Sequence, residues 1–272
     1  MKKAINNPKH AGLSDKYESA SAGSGNPASL LGALYTAFNE AYCAAQAGMD
    51  IDTALLRELI GRTRKLAAQP GTGKPEVYAL LSYMLLESSR IPAMRGVSGK
   101  PVDLKNQDRR LWDKTAVEEG LDYLKRSAEG KSAGEYHLKA AVSACHSLAK
   151  DYRSTDWKHI ISLYDQFMEF NDSSHLALER ARIISRTRGA RAGVKAIEDI
   201  KRRYALNDDL LLNEELGDLH LRLHEYENAL SCYEISYTRA ESKTDKSHYK
   251  KKIAYCKKRL KYKKKYALGL SF

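Results

Sequence analysis

The stretch from Asn213 to Glu241 reads NEELGDLHLRLHEYENALSCYEISYTRAE, and it decides the fold class of the chain. Helical patterning covers residues 208–223 and 226–242, and only a short break separates the two segments. Small residues, Gly217 and Ala229, fall where two antiparallel helices would touch, because a small side chain lets two helices approach closely. The stretch therefore predicts a helix–turn–helix hairpin.

This hairpin has degenerate copies earlier in the chain. The residues that set its spacing are Leu216, Gly217, Tyr226, Ala229 and Tyr233, and this spacing is that of the tetratricopeptide repeat, a unit of about 34 residues. Equivalent places are taken first by Ile160 and Tyr164 and then by Ala181, Gly193 and Ile197. The offsets are 33 residues (160 to 193) and 36 residues (193 to 229). One clear unit and two weaker copies predict a short solenoid; coincidence in a helix-rich chain is the alternative.

The amino-acid composition indicates that the whole chain is helical. Leu and Ala each occur 33 times among the 272 residues, whereas Val occurs 6 times, and this balance favours helix over extended sheet. The composition excludes a collagen, a disulfide scaffold and a fully disordered chain. Four widely spaced cysteines, each on an apolar helical stripe, predict buried, reduced thiols in a cytoplasmic protein. The longest mainly apolar run, Val77 to Leu86, is too short to cross a membrane.

The pattern predicts eleven helices in an all-α fold, a helical bundle that continues into a tetratricopeptide-like solenoid. Pro, Gly and polar residues interrupt the helices between 91 and 108, and a loop of this length is usually functional or disordered. The predicted segments are a flexible leader (1–29), an N-terminal helical bundle (30–134), tetratricopeptide-like repeats (135–245) and a basic capping helix with a tail (246–272).

The positive charge is concentrated at the end of the sequence. Residues 246–272 contain eleven Lys or Arg and no Asp or Glu, so residues 1–245 carry only +1 of the total +12. Interleaved tyrosines and lysines can stack on bases and contact phosphates. The hypothesis is weak, non-specific nucleic-acid contact; a solvated capping helix is the alternative. The candidate contact residues are Lys250, Lys251, Lys257, Lys258 and Lys261.

Signatures of catalysis are weak. The sequence Gly71-Thr72-Gly73-Lys74-Pro75 lacks the Ser or Thr that follows the lysine of a phosphate-binding loop, and it follows a helix rather than a strand. His220 and His224 have the i, i+4 spacing of a zinc pair, but Leu221 replaces the glutamate of a metalloprotease. We predict no enzyme activity, no metal and no cofactor.

A set of polar and aromatic residues is the candidate site. It comprises Asn39, Glu40, Arg90, Arg95, Gln107, Asp108, Arg109, Trp112, His146, Asp156, Trp157 and Arg180. An aspartate beside each tryptophan can cap a helix while the ring packs beneath it. The alternative is a charged network of Glu40, Arg90, Arg95, Asp108 and Arg109 that shapes a groove.

Ordered motifs along residues 30–262 resemble one known domain. They include Phe38-Asn39-Glu40, Pro75-Glu76-Val77, Ser89-Arg90, Gln107-Asp108-Arg109, Trp112-Asp113, Thr155-Asp156-Trp157, Leu163-Tyr164-Asp165 and Arg180-Ala181. The chain resembles the helical C-terminal extension of a subgroup of extracytoplasmic-function RNA polymerase sigma factors. In that subgroup the extension carries tetratricopeptide-like repeats and follows the two sigma domains. Local departures occur at Asn106, at Glu179 and at Asp172-Ser173-Ser174.

The resemblance implies a non-catalytic interaction or regulatory module in transcription initiation, with a sigma factor or RNA polymerase as partner. Because only 29 residues precede the matching region, we expect a free-standing relative or an excised piece, without promoter recognition of its own. Two alternatives stay open. One is a general tetratricopeptide scaffold unrelated to transcription, and the other is an enzyme or small-molecule-sensing domain that uses Glu40, Arg90 and Asp108.

Overall fold

The computed structural model describes residues 27–46, 49–69, 74–96, 98–130 and 133–267. Eleven α-helices and three short 3-10 helices form within these residues, and the predicted all-α class is confirmed. The chain divides into two compact units, unit 1 (residues 1–163) and unit 2 (residues 164–272), with the division inside the sixth helix. In chain order the α-helices are α1 (Pro27–Gln46), α2 (Thr53–Ala68), α3 (Lys74–Ser88), α4 (Lys114–Ser127), α5 (Glu135–Leu148), α6 (Trp157–Phe170), α7 (Ser174–Thr187), α8 (Ala190–Arg203), α9 (Leu210–Arg222), α10 (Tyr226–Arg239) and α11 (Lys243–Ala267).

Unit 1 is built around α3. Helices α1, α2, α4 and α5 all pack against it, and almost every side chain from Val77 to Glu87 is buried. A helix that is apolar on all sides belongs in the interior, which explains why this run is the most apolar in the chain. The largest fully buried side chains here include Phe38, Leu80 and Met84. Helix α5, which was assigned to the predicted repeats, also packs on α3 within unit 1.

Unit 2 contains two consecutive hairpins with the same design. Helices α8 and α10 begin and end 36 residues apart, at Ala190–Arg203 and Tyr226–Arg239. The first helices of the hairpins are capped 36 residues apart as well, because Ser173 accepts a hydrogen bond from the backbone of Leu176, and Asp209 from that of Leu212. The spacing found in the sequence is therefore a structural repeat.

Polar contacts repeat with the same period. Arg203 pairs with Asp172 at 2.7 Å, and, 36 residues later, Arg239 pairs with Asp208 at 2.6 Å. In each hairpin the pair joins the end of the second helix to the turn that precedes the first helix. Both pairs are largely exposed, so they fix the geometry of the hairpin more than they stabilise it.

The equivalent core positions are buried in both hairpins. Gly193 and Ile197 are buried in the first, and Ala229 and Tyr233, 36 residues later, in the second. A Cβ atom added to Gly217 would lie 2.5 Å from the ring of Tyr233, so only glycine allows α9 and α10 to approach this closely.

Helix α11 closes the repeats. Its side chains Tyr249 and Cys256 are buried with Tyr233 and Ala229 of the preceding hairpin, and Ile253 packs against the same cluster. These side chains lie on one face of α11. The opposite face carries the lysines.

Two details differ from the sequence expectations. The interrupted segment contains 3-10 helices at Ile91–Ala93, Leu104–Asn106 and Arg109–Leu111, before α4 begins at Lys114. Of the four thiols expected to be buried, Cys256 is buried and Cys145 and Cys232 are half-buried. Cys43 is exposed, because Phe38, Tyr42 and Ala45 form the buried stripe of α1.

The predicted leader (1–29) lies mostly outside the described residues, which begin at Pro27, and residues 27–29 belong to α1. None of the helices in the described part of the chain combines the length and the apolar character that crossing a bilayer requires.

Candidate functional site

A buried ion pair lies at the end of α3. The guanidinium of Arg90 contacts the carboxylate of Glu87 at 3.0 Å, and the two side chains are only 5% and 10% exposed. The Ser143 hydroxyl on α5 donates to the same carboxylate at 2.6 Å, and Arg90 donates to the Ser143 carbonyl at 3.3 Å. A buried pair is tolerated only with such additional hydrogen bonds, because both ions lose their hydration.

Two arginines enclose Trp112. The guanidinium carbons of Arg90 and Arg109 lie 5.2 Å and 4.8 Å from the centroid of this buried ring. Arg109 also donates to the carbonyls of His146 and Ala149 at the end of α5, which places a cation at the negative end of the helix dipole. Desolvation and the neighbouring Arg90 lower the pKa of Arg109. The arrangement joins α3, α5 and the segment before α4.

An aromatic group extends this network towards α6. The ring of Trp157 lies 5.2 Å from that of His146 and 4.9 Å from that of Tyr152, both edge-on. Asp156 caps α6 by accepting from the backbone of His159 at 2.9 Å, and Asp113 caps α4 in the same way from Ala116 at 3.1 Å. Each tryptophan therefore packs beside a capping aspartate, as the structural interpretation predicts.

The structure does not bring the remaining predicted charges into this network. Asp108 pairs with Arg110 at 2.7 Å and caps the 3-10 helix that follows, which lowers the pKa of Asp108 to about 2. Arg95 donates to the carbonyls of Gly99 and Met49. Glu40 is exposed and has no ion-pair partner among the described residues. The hypothetical cluster of Glu40, Arg90 and Asp108 is therefore not formed.

Asn39, Gln107 and Arg180 each contact a residue outside this network. Asn39 accepts a hydrogen bond from Tyr83 at 2.8 Å, and Gln107 donates to the Val102 carbonyl at 3.1 Å. Arg180 belongs to unit 2, where it pairs with Asp165 at 2.5 Å. These residues hold helices and loops in place.

Sequence reasoning missed the partner of Arg90. Glu87 precedes Arg90 by three residues at the end of a helix, a spacing that places the two side chains on one face. That spacing was the available signal. Ser143, which also bonds to Glu87, lies 56 residues away in the sequence, and no local pattern predicts such a contact.

The basic face of α11 is partly neutralised. Of the five candidate nucleic-acid contacts, Lys257 pairs with Glu234 at 3.2 Å. Lys252 and Lys263, outside that set, contact Asp218 at 2.7 Å and Glu227 at 3.8 Å. The other four candidates are exposed and form no ion pair with a described residue: Lys250, Lys251, Lys258 and Lys261.

His220 lies on α9 and His224 in the turn after it, so the two histidines do not share one helix face, and each contacts another side chain. Nδ1 of His220 contacts Glu225 at 2.7 Å, and Nδ1 of His224 lies 3.1 Å from the hydroxyl of Tyr226. Within the described ranges, no three His, Cys, Asp or Glu side chains come together as metal ligands. The glycine-rich residues 71–73 lie outside those ranges.

Comparison with known proteins links part of unit 1 to a family. Residues 28–128 match a family of unknown function (DUF6596). An uncharacterized protein of Rhizobium meliloti (strain 1021) is 31% identical over 170 residues, which is 62% of this chain and 40% of the relative. The chain thus spans less than half the length of that relative. No solved structure matches the chain. The family match includes α1–α4 and the segment that carries Arg90, Arg109 and Trp112.

Proposed function

We propose that the chain is a non-catalytic protein-interaction module that acts in the control of transcription initiation. The observation that supports this most strongly is the 36-residue repeat of unit 2, in which helix bounds, caps and ion pairs recur together. Stacked helical hairpins of this kind present extended surfaces that bind other proteins. The resemblance to the sigma-factor extension supplies the proposed partner, a sigma factor or RNA polymerase.

Direct binding of purified components tests the proposal. The full chain is immobilised, and purified RNA polymerase core and purified sigma factors from the native cell are passed over it separately. We expect saturable binding of one of them. If neither binds while another protein of that cell does, the general scaffold is the better account.

Exposed apolar side chains of unit 2 provide matched variants. Phe170 is 80% exposed and Leu211 is 53% exposed, so replacing either with Ser removes apolar surface without opening a cavity. Leu148→Ser is the control, because Leu148 is 70% exposed in unit 1. We expect Phe170→Ser or Leu211→Ser to weaken partner binding while Leu148→Ser leaves it unchanged.

The non-catalytic part of the proposal has its own test. Its support is that the buried carboxylate of unit 1, Glu87, already accepts bonds from Arg90 and Ser143, which leaves it poorly placed to take a proton from a substrate. A turnover by the purified chain that disappears in Glu87→Gln, without loss of folded protein, would contradict it.

A second proposed activity is weak, sequence-independent contact with nucleic acid through α11. It is favoured by four exposed lysines of α11 that form no ion pair with a described residue, together with Tyr255 and Tyr262, which are about half exposed. Four phosphate contacts predict that log K falls with log salt at a slope of about −3.6 on duplex DNA.

Fluorescence anisotropy with an arbitrary duplex at several salt concentrations measures this slope. Because Tyr249 and Cys256 are buried, deleting α11 would damage the repeat, so charge removal is the better variant. Replacing Lys250, Lys251, Lys258 and Lys261 with Gln should abolish binding. The same replacement of the exposed Lys65, Lys100, Lys105 and Lys114 in unit 1 is the control for net charge. Equal loss in both variants would contradict a contact made by α11.

A further inference from the structure

A groove of about 320 Å³, the first groove, lies on the first hairpin of unit 2. It is formed by residues of α7 and α8 and reaches Met168 of α6. Its apolar floor consists of the buried side chains Ala177, Ile184 and Ile200. An engineered cavity of about 150 Å³ in another protein binds benzene, so the first groove has room for about two apolar side chains.

Helix α8 forms one wall of the first groove along its whole length. The residues of this wall recur at the spacing of one helical face, and they are Ala192, Lys195, Ala196, Asp199, Ile200 and Arg203. The short side chains of Ala192 and Ala196 leave space between this wall and the rest of the hairpin. The 14 residues of α8 span about 21 Å, which an extended peptide of about six residues matches in length.

Five charged side chains line the first groove, and three of them are engaged. Arg180 and Arg203 pair with aspartates at 2.5 Å and 2.7 Å, and Asp199 pairs with an arginine that follows it on α8. The other two, Arg188 and Lys195, are exposed and form no ion pair with a described residue. Arg188 directly follows α7 and Lys195 lies in the first half of α8, so the uncompensated positive charge is concentrated towards the turn between these helices.

The second hairpin has an equivalent groove, the second groove, with different chemistry. Five residues that line it stand 36 positions after residues that line the first groove, and they are Leu216, His220, Asn228, Ser231 and Cys232. Ser231 takes the place of Lys195 there, and Asn228 takes the place of Ala192. The repeat itself therefore requires neither the free cation nor the apolar wall that the first groove has.

We propose that the first groove binds an acidic peptide segment of a partner protein. Apolar side chains of the segment lie on the floor, and its carboxylates pair with Arg188 and Lys195. Such charge-assisted hydrogen bonds are roughly twice as strong as neutral ones. The uncompensated positive charge also attracts an acidic segment before contact and disfavours a basic one.

A nucleic acid fits the first groove less well than a peptide does. Proteins bind single strands by stacking bases on aromatic rings. Tyr204 is the aromatic residue that lines this groove, and its hydroxyl donates to Asp172 while its ring lies 5.5 Å from the guanidinium carbon of Arg203. This ring is thus already engaged, and the floor offers aliphatic side chains instead.

The inference rests on the proposed function, because it takes unit 2 as the unit that binds protein, and it adds the place and the chemistry of the bound segment. The exposed side chains Phe170 and Leu211 do not line the first groove. Their variants and the variants of the groove therefore report on different surfaces.

Selection from a display library of random octapeptides on the immobilised full chain tests the proposal. We expect the recovered peptides to contain more Asp and Glu than the input library, together with Leu, Ile or Met. The dissociation constant of a labelled recovered peptide is then measured by fluorescence anisotropy. Replacing its apolar residues with Ser should raise this constant at least about tenfold, since their burial on the floor is lost. Recovered peptides without acidic enrichment would overturn the proposal.

Arg188→Gln combined with Lys195→Gln removes the two free charges at exposed positions, so the double variant should fold normally. We expect it to bind the recovered peptide at least about tenfold more weakly, since charge-assisted hydrogen bonds are lost. Lys105→Gln combined with Lys114→Gln, at exposed positions of unit 1, removes the same net charge and should leave binding unchanged. Equal loss in the two double variants, or no loss in the groove variant, would overturn the proposal.

The remaining outcomes separate this inference from its alternatives. A single-stranded oligonucleotide that loses binding in the groove variant, while no acidic peptide is recovered, would overturn the proposal and assign the first groove to phosphate groups. Binding of RNA polymerase or a sigma factor without recovery of acidic peptides would overturn this inference alone. Groove-dependent recovery of acidic peptides, without binding of polymerase or a sigma factor, would support this inference and contradict the proposed partner.

Discussion

The two units use their helices in different ways. In unit 1 four helices pack on the central α3, so most of the apolar core depends on one segment. In unit 2 each helix from α7 to α11 packs on its neighbour in sequence, and the core is divided into two clusters. A central helix gives its neighbours one shared interior, whereas a serial stack divides its interior and presents extended surface. The protein partner is therefore proposed for unit 2.

The largest change in stability that bears on this contrast is expected for Trp112→Ala in unit 1. Its ring is 5% exposed between Arg90 and Arg109, which bridge α3 and α5. Trp112→Ala should lower the free energy of unfolding of unit 1 by about 3–5 kcal/mol, measured by urea unfolding with circular dichroism. Leu111→Ala, at a neighbouring side chain that is 52% exposed, should change it by less than about 0.5 kcal/mol. Equal stability of the two variants would mean that the Trp112 ring does not stabilise the packing of unit 1.

Gly→Ala substitutions in the two units are expected to change the free energy of unfolding by moderate amounts and in opposite directions. In Gly217→Ala the new Cβ would lie 2.5 Å from the Tyr233 ring, so we expect a loss of about 1–3 kcal/mol from the α9–α10 hairpin. In Gly61→Ala, on α2, the new Cβ meets nothing within 4 Å, and stability should rise by about 0.5–1 kcal/mol. Thermal unfolding of both variants measures the signs. A stabilised Gly217→Ala would contradict the close packing of the repeat.

The smallest effect concerns pH. His137 on α5 is buried, and its Nδ1 accepts from the backbone of Gly134 at 3.0 Å. Desolvation lowers the pKa of His137 in the folded protein, so the unfolded chain binds a proton first as the pH falls. The stability that the neutral ring contributes is thus present above the unfolded pKa of about 6.5 and is lost below it.

We therefore expect unit 1 to be destabilised between about pH 7.5 and pH 5, and we expect His137→Asn to lose less stability over this range. Asn keeps an acceptor for Gly134 but does not titrate. Urea unfolding of both proteins at the two pH values gives the difference. Parallel pH profiles would show that His137 titrates alike in the folded and unfolded states.

Periodicity was sufficient to predict the helices and the repeat, because burial of one helical face leaves a local signal. The 36-residue offset between Gly193 and Ala229 became the offset between whole hairpins. The site was harder to predict. Which carboxylate meets Arg90 depends on how α3 and α5 pack, so the sequence pointed to Glu40 and Asp108, whereas Glu87 and Ser143 are the partners.

Hydrogen exchange tests the contrast between the units most directly, with one buried leucine truncated in each. Leu80 on α3 is fully buried, and Leu216 on α9 is 3% exposed. We predict that Leu80→Ala speeds exchange in α1, α2, α4 and α5 together, because all four pack on α3. Leu216→Ala should speed exchange most in α8, α9 and α10 and less in α7 and α11. Uniform loss of protection from α7 to α11 in Leu216→Ala, or loss confined to α3 in Leu80→Ala, would contradict the account.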